Sequence, residues 1–375
     1  MSHNPFTPTF GITPPLMVGR DAQVTAVQRA LQRNPGDPAR AVLVTGPRGT
    51  GKTVLLNQLE TTAIGLGWVV ISEIVRPGLV QELTYSVLPA LLAAHEKQAA
   101  KGAVTGVNAS VLGFGAGLAR QVAPKRPVEP ALGSEFQQLA RVLTEESSGL
   151  FVSLDEVHRD EVEELKPLFH AIQQCFRQGL QVAFAAAGLP YSISGLLNEN
   201  VLTYLRRAER FTLGALTPGQ VKAAIQEPIQ QNGRSIALDA LDLAADAVQG
   251  YPFLVQVVGF ELWQADPDSS WIDAHQAGLA LEHAKQTAYR LVVEPALADL
   301  AGGDRDFLRA MAIDTSCVTQ VSVLPERLRR SRGHVNKYRS RLIANQLIEP
   351  AGRGELRFAM PLLQQYLLEQ GAADF

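Results

Sequence analysis

Cysteine is nearly missing from this chain: Cys175 and Cys317 are the only two in 375 residues, far apart and without metal-ligand spacing. Cys175 shares a helical face with Ile172, so both read as buried thiols rather than ligands, which suits a reducing compartment. Charge of one sign is also lacking. Lys plus Arg number 34 against 37 acids, a net charge of -3, so composition alone gives no nucleic-acid signature and leaves room only for local asymmetry. Long apolar runs are lacking too. One long uncharged stretch, Gly102 to Ala119, carries five glycines plus Thr105, Asn108 and Ser110, and a membrane-spanning helix is not expected there. Met1-Ser2-His3-Asn4-Pro5 has neither a charged n-region nor an apolar h-region, so no secretory signal is expected. The expectation is a cytoplasmic chain without membrane contact.

What the chain does have is length for two or three domains and an apolar share of 46%, enough for sizeable cores. Gly46-Pro47-Arg48-Gly49-Thr50-Gly51-Lys52-Thr53 is a complete G-x-x-x-x-G-K-[ST] phosphate loop. Its neighbours suit it. Ala41 to Thr45 is apolar and β-branched, as a buried strand is, and Val54 to Leu59 opens a helix. In that setting the loop amides and the helix N-terminus would hold a triphosphate. Lys52 would reach the β- and γ-phosphates, and Thr53 would offer its hydroxyl to Mg²⁺.

Further along, Trp68 to Ser72, Leu150 to Leu154, Val182 to Gly188 and Phe211 to Leu213 read as strands. Helical patterns alternate with them, notably Leu79 to about Ala94, Glu135 to Leu143 and Leu165 to Phe176. Strands alternating with helices predict a parallel α/β sheet. Residues 1–18 form an extended arm and 19–216 the ATPase core. An insertion at about 101–130 is either a β-hairpin using Val107, Ala109 and Val111 or a mobile loop. Thr217-Pro218 caps the first helix of an all-helical segment, 217–298. Residues 299–375 close with two strand-like runs around Gly352 to Gly354.

Leu154-Asp155-Glu156 supplies the second half of an ATPase site. Asp155, at the end of an apolar strand, would bind Mg²⁺, and Glu156 would polarise the attacking water; the competing reading is an acidic pair capping a helix. Of the cluster Arg206, Arg207 and Arg210, we single out Arg207 or Arg210 as an arginine finger, in cis or in trans. His95-Glu96 lacks the second histidine of a zinc motif, and His158 reads as a neighbour of the site. Arg327, Arg329, Arg330, Arg332, Lys337, Arg339 and Arg341 crowd fifteen residues beside one acid, Glu326. A helix here, with Val335, Leu342 and Ile343 inward, would present Asn336, Lys337 and Arg339 to a major groove. Arg332 and Arg341 would meet phosphates, and Arg353 would sit at a wing tip. The alternative is a protein-docking module whose basic cluster faces an acidic neighbour.

Val18-Gly19-Arg20, the phosphate loop, Leu154-Asp155-Glu156, the arginine cluster and a helical lid, in this order, resemble AAA+ ATPases. The likeness is to initiator-type (origin-recognition-like) ATPases and their bacterial relatives, bordering the STAND signalling NTPases, and spans nearly the whole chain. It implies an adenine pocket at Val18, Gly19 and Arg20, with Tyr251 and Pro252 of the lid near the nucleotide. The nucleotide contacts are then those residues together with Gly46 through Val54. One departure stands out: the strand before the arginines ends in Ala187-Gly188-Leu189-Pro190 where the family carries a polar sensor. The nearest hydroxyls are Tyr191 and Ser192.

The expectation is therefore an α/β P-loop NTPase with a helical lid and a C-terminal winged helix. It binds ATP or ADP with Mg²⁺, uses Lys52 and Glu156 in hydrolysis, and acts as a nucleotide-controlled switch on double-stranded DNA, as a homo-oligomer or with a protein partner. The rivals are a signalling NTPase that self-associates and works through proteins, and a nucleotide binder that barely hydrolyses.

Overall fold

A computed structural model describes residues 3–9, 14, 16–33, 35–100, 131–198, 200–314 and 318–373. The insertion, with its hairpin-or-loop alternatives, and Cys317 lie outside the described residues. The chain divides into two compact units: Arg20–Gly46 with Gly51–Gly214, and Met1–Gly19 with Pro47–Thr50 and Ala215–Phe375.

The first unit is built on five strands: β1 (Ala41–Thr45), β2 (Val69–Ile74), β3 (Leu150–Val157), β4 (Val182–Gly188) and β5 (Glu209–Thr212). Their order is β2-β3-β4-β1-β5, all parallel. The central strands are near-continuous apolar runs because helices cover both faces; every residue of β4 is buried. The helices are α1 (Asp21–Gln32), α2 (Lys52–Gly65), α3 (Leu79–Glu82), α4 (Leu88–Ala100), α5 (Leu132–Glu145), α6 (Val162–Arg177) and α7 (Pro190–Asn198). A π-helical turn, Leu83–Val87, joins α3 to α4, so the single helix expected from Leu79 is three segments. Its apolar stripe holds nonetheless: Leu83, Val87, Leu88, Leu91 and Leu92 are all buried.

Arg40 fixes the entry to β1. It is 1% exposed, donates to the carbonyls of Ala30, Leu31 and Arg33 at the end of α1, and stacks 5.1 Å from the centre of Trp68. One buried guanidinium thus satisfies orphan helix carbonyls that would otherwise lack partners.

The second unit begins with α8 (Pro218–Gln231), α9 (Leu238–Val248), α10 (Pro252–Gln264), α11 (Ala274–Ala288) and α12 (Glu294–Ala298). Full capping boxes start α8, from Thr217 and Gln220, and α11, from Asp273 and Gln276. Two-residue strands, β6 (Ser235–Ile236) and β7 (Trp271–Ile272), pair in parallel between the helices, a detail too short to leave a periodic signal. The N-terminal arm docks here: Phe6, 1% exposed, lies over Gly259 of α10, and Asn4 donates to the Phe260 carbonyl at 3.2 Å.

The remainder runs α13 (Gly302–Ala312), β8 (Thr319–Gln320), α14 (Leu324–Leu328), α15 (Arg332–Ala344), β9 (Ile348–Gly352), β10 (Glu355–Phe358) and α16 (Leu363–Ala373). The strands form an antiparallel sheet of order β8-β10-β9, and Phe307, Leu308, Leu324, Val335, Leu342 and Leu356 pack together as its core.

Candidate functional site: the phosphate loop and its surroundings

The loop begins where β1 ends and turns directly into α2, so the helix starts at Lys52 with Gly51 as its N-cap. Gly49 (φ 71°) and Gly51 (φ 86°) take left-handed backbone, which only glycine adopts at little cost. The loop braces itself: the buried Thr50 hydroxyl donates to the Pro47 carbonyl at 2.8 Å, and Lys52 Nζ to the Gly46 carbonyl at 2.9 Å. Val54 is half-buried in the first turn of α2.

Across the inserted strand β4, β3 brings the acidic pair to the same, carboxyl-terminal end of the sheet. Thr53 Oγ1 donates to Asp155 Oδ2 at 2.6 Å, and Asp155 Oδ1 accepts from the Glu156 amide at 2.8 Å. The strand does not stop before the pair. It runs on to Val157, and its register against β4 slips between Leu154 and Val157. Glu156 sits in that bulge with φ 54°, a strained position for a non-glycine residue, and its side chain is 67% exposed. His158 Nε2 lies 4.0 Å from Glu156 Oε2.

The bulge explains the glycine at the end of β4. A Cβ at Gly188 would lie 2.7 Å from the Val157 carbonyl oxygen, so no sensor side chain fits there. Neither alternative hydroxyl is available: Tyr191 is bonded to the Arg159 guanidinium, which also stacks on its ring, and Ser192 is buried.

Val18 packs with the α8–α11 core, and Gly19, at φ 69°, leaves no room for a Cβ against the Gln220 side chain. Arg20 donates to the Gly214 carbonyl at 2.9 Å, and burial lowers its pKa. Pro252 starts α10. Tyr251 points at the loop itself: its hydroxyl donates to the Arg48 carbonyl at 2.6 Å, and burial pushes that hydroxyl up to about 12. The Arg48 amide in turn donates to Gln346 Oε1 at 2.9 Å. Sequence reasoning missed Gln346, and nothing in its neighbourhood marks it; it is one polar residue in a helix-to-strand turn.

The arginines are placed differently from the expectation. Arg210 does not precede the last strand but lies within β5, opposite Leu43, because Phe211 alone of that strand is buried and the pattern hides its start. Arg207 comes before the strand, at the amino-terminal side of the sheet. The phosphate loop is at the carboxyl-terminal side, so the structure does not bring either arginine to it. Both are exposed, and neither guanidinium has a hydrogen bond or ion pair among the described residues.

Among the basic residues near the C-terminus, Arg332, Asn336, Lys337 and Arg353 are exposed. Arg339 is half-buried, with its Nε unpartnered. Arg341 is committed inward: it bonds Asp304, whose side chain is 2% exposed, at 2.6 Å and stacks on Tyr338. Arg327 forks onto Asp314 at 2.7 and 2.8 Å and also donates to the Ala310 carbonyl.

These features define an α/β P-loop NTPase fold, and residues 16–185 match the family described as AAA ATPase domain. Residues 291–367 match a domain of unknown function, DUF8462. Among solved structures, the chain is similar to the ORC2 protein of Aeropyrum pernix in ADPNP-ADP complexes, at 14% identity and TM-score 0.62 over 98% of each chain. It is also similar to the Walker-type ATPase PABY2304 of Pyrococcus abyssi, at 15% identity and TM-score 0.61, over 94% of this chain and 96% of that one. At such identities the likeness is one of fold. No curated protein matches the sequence. No helix among the described residues is long and apolar enough to cross a membrane.

Proposed function

We propose that the chain binds ATP with Mg²⁺ at Gly46–Thr53 and hydrolyses it, as a switch read out by the C-terminal segment. The observation that carries this is the 2.6 Å bond between Thr53 Oγ1 and Asp155 Oδ2, which joins the two halves of the motif. A hydroxyl and a carboxylate in contact are the oxygen pair that Mg²⁺ takes alongside phosphate oxygens and water. When bound, the ion neutralises phosphate charge. The protein's own groups do the rest. The loop amides and Lys52 hold the β- and γ-phosphates. Glu156, aimed by its bulge, orients the attacking water and accepts its proton. ORC2, of the same fold, was solved with ADPNP and ADP, which supports a nucleotide in this loop. The blocked sensor position at Gly188 argues for slow turnover, and an arginine finger from Arg207 or Arg210 would act in trans.

The order of α13, β8, α14, α15, β9 and β10 supports a winged helix, with α15 for a major groove and the β9–β10 turn as its wing. Exposed Arg332, Asn336, Lys337 and Arg353 would contact duplex DNA, whereas Arg341 would serve the fold. A specific observation favours a second reading. Arg327 and Arg341 are held by acids, which thins the basic surface and suits a signalling NTPase that acts through protein partners.

The test is ATP turnover with Mg²⁺, followed by fluorescence anisotropy of duplex DNA at several salt concentrations. Glu156→Gln should bind ATP and fail to turn it over. Equal turnover by parent and variant would sink the catalytic assignment. DNA binding that weakens with salt, and weakens further in Arg332→Ala plus Lys337→Ala, supports the DNA reading. No binding at any salt with any nucleotide favours the protein-partner reading.

A further inference from the structure

The tip of the phosphate loop is held from outside at both main-chain polar groups of a single residue. The Arg48 amide donates to Gln346 Oε1 across 298 positions of sequence, and the Arg48 carbonyl accepts from the Tyr251 hydroxyl. All three residues belong to one compact unit. The loop does not need these bonds to close on itself, since Thr50 and Lys52 already serve the neighbouring carbonyls of Pro47 and Gly46.

Each clamping side chain is aimed by a fixed backbone. Gln346 occupies the turn from α15 to β9 at φ 58°, a left-handed position pinned by amide bonds from Gln346 to Ile343 and from Leu347 to Leu342, both 3.0 Å. Tyr251 is 9% exposed and its ring lies against Gly49, where a Cβ would come 2.3 Å from the hydroxyl oxygen. Its raised pKa keeps that hydroxyl a donor at any physiological pH. Beside the clamp lies a cavity of about 180 Å³ lined by Pro47, Arg48, Tyr251, Asn345, Gln346 and Met360. The tip is therefore not packed all round, and the two hydrogen bonds supply the restraint that packing does not.

We propose that Tyr251 and Gln346 are positioning residues that clamp the tip of the phosphate loop, so that the seating of Gln346 governs how fast nucleotide leaves. The regulatory half rests on the nucleotide reading above; the clamp does not. It makes the C-terminal segment a brake on nucleotide exchange: lifting Gln346 away frees the Arg48 amide and loosens the loop.

The experiment uses the full chain and three forms: parent, Gln346→Gly, which suits the left-handed backbone but lacks the acceptor, and Gln346→Glu, which keeps an acceptor oxygen. Hydrogen–deuterium exchange is read at the Arg48 amide without nucleotide, and release of a fluorescent ADP analogue by stopped flow. Gln346→Gly should raise both rates about five-fold, the size one ordinary hydrogen bond supports. Gln346→Glu should restore amide protection. An Arg48 amide that exchanges equally fast in parent and Gln346→Gly overturns the clamp. Faster exchange with unchanged release overturns its regulatory role. A parent protein that takes up no fluorescent ADP sinks the nucleotide reading and that role with it, while the amide comparison still decides the clamp.

Discussion

Gly49→Ala puts the packing at the loop tip to a quantitative test. Two penalties act together. Alanine at φ 71° costs about 1–2 kcal/mol for the left-handed backbone. The new Cβ would also stand 2.3 Å from the Tyr251 hydroxyl oxygen and 2.5 Å from its Cζ. Relieving that overlap in a buried ring costs about 1–3 kcal/mol more. Against these, alanine restricts the unfolded chain and returns about 0.4–1 kcal/mol. The net is a destabilisation of about 1–5 kcal/mol. Trp263 and Trp271 share the unit that holds Gly49 and Tyr251, and Trp68 is in the other. Urea unfolding followed by tryptophan fluorescence in a Trp68→Phe background therefore reports the right unit. In a Tyr251→Leu background the overlap vanishes and only the backbone part remains, so the double-mutant cycle should show a coupling of about 1–3 kcal/mol. A Gly49→Ala midpoint equal to the parent's, or strictly additive effects in the cycle, would mean that the Tyr251 ring does not constrain Gly49.

Other expectations follow from individual side chains. Arg341→Ala leaves buried Asp304 unpaired and should destabilise the protein by about 2–4 kcal/mol, while exposed Arg332→Ala should stay within about 0.5 kcal/mol of the parent; thermal melts compare them. Hydrogen bonding from Arg327 holds the Asp314 carboxyl below its usual range. A depressed carboxyl contributes stability that is present above its unfolded value near ~3.9 and is lost as pH falls through the lower folded value. Asp314→Asn should therefore flatten the acid limb of the stability profile, and an unchanged limb would exclude this pair. Burial pushes the Cys175 thiol up to about 12, so iodoacetamide should leave its peptide unlabelled in native protein and label it in urea, as read by mass spectrometry.

The parts legible in the sequence are those whose cause is local. The phosphate loop and β1 are contiguous, and the apolar run Val182 to Gly188 coincides with β4 because both its faces are buried. The start of β5 was hidden because an edge strand with one buried residue carries no pattern, and so Arg210 fell outside it. The bulge at Asp155–Glu156 depends on the partner strand β4, not on β3 alone. Charges misled most. Arg341 looks like its basic neighbours until folding sets it on Asp304, and Gln346 acquires its role only by meeting a loop 298 positions away. Side-chain pairing at such separations leaves no trace in spacing or periodicity.

Nucleotide binding rests on the joined motif of Lys52, Thr53 and Asp155. Its most direct test is the affinity of a fluorescent ATP analogue with Mg²⁺ for parent, Lys52→Ala and Asp155→Asn proteins of equal thermal stability. The parent should bind saturably, Lys52→Ala should lose at least about ten-fold in affinity, or about 1.4 kcal/mol, and Asp155→Asn should show a loss with Mg²⁺ that is absent with EDTA. Equal affinity of all three proteins would contradict it.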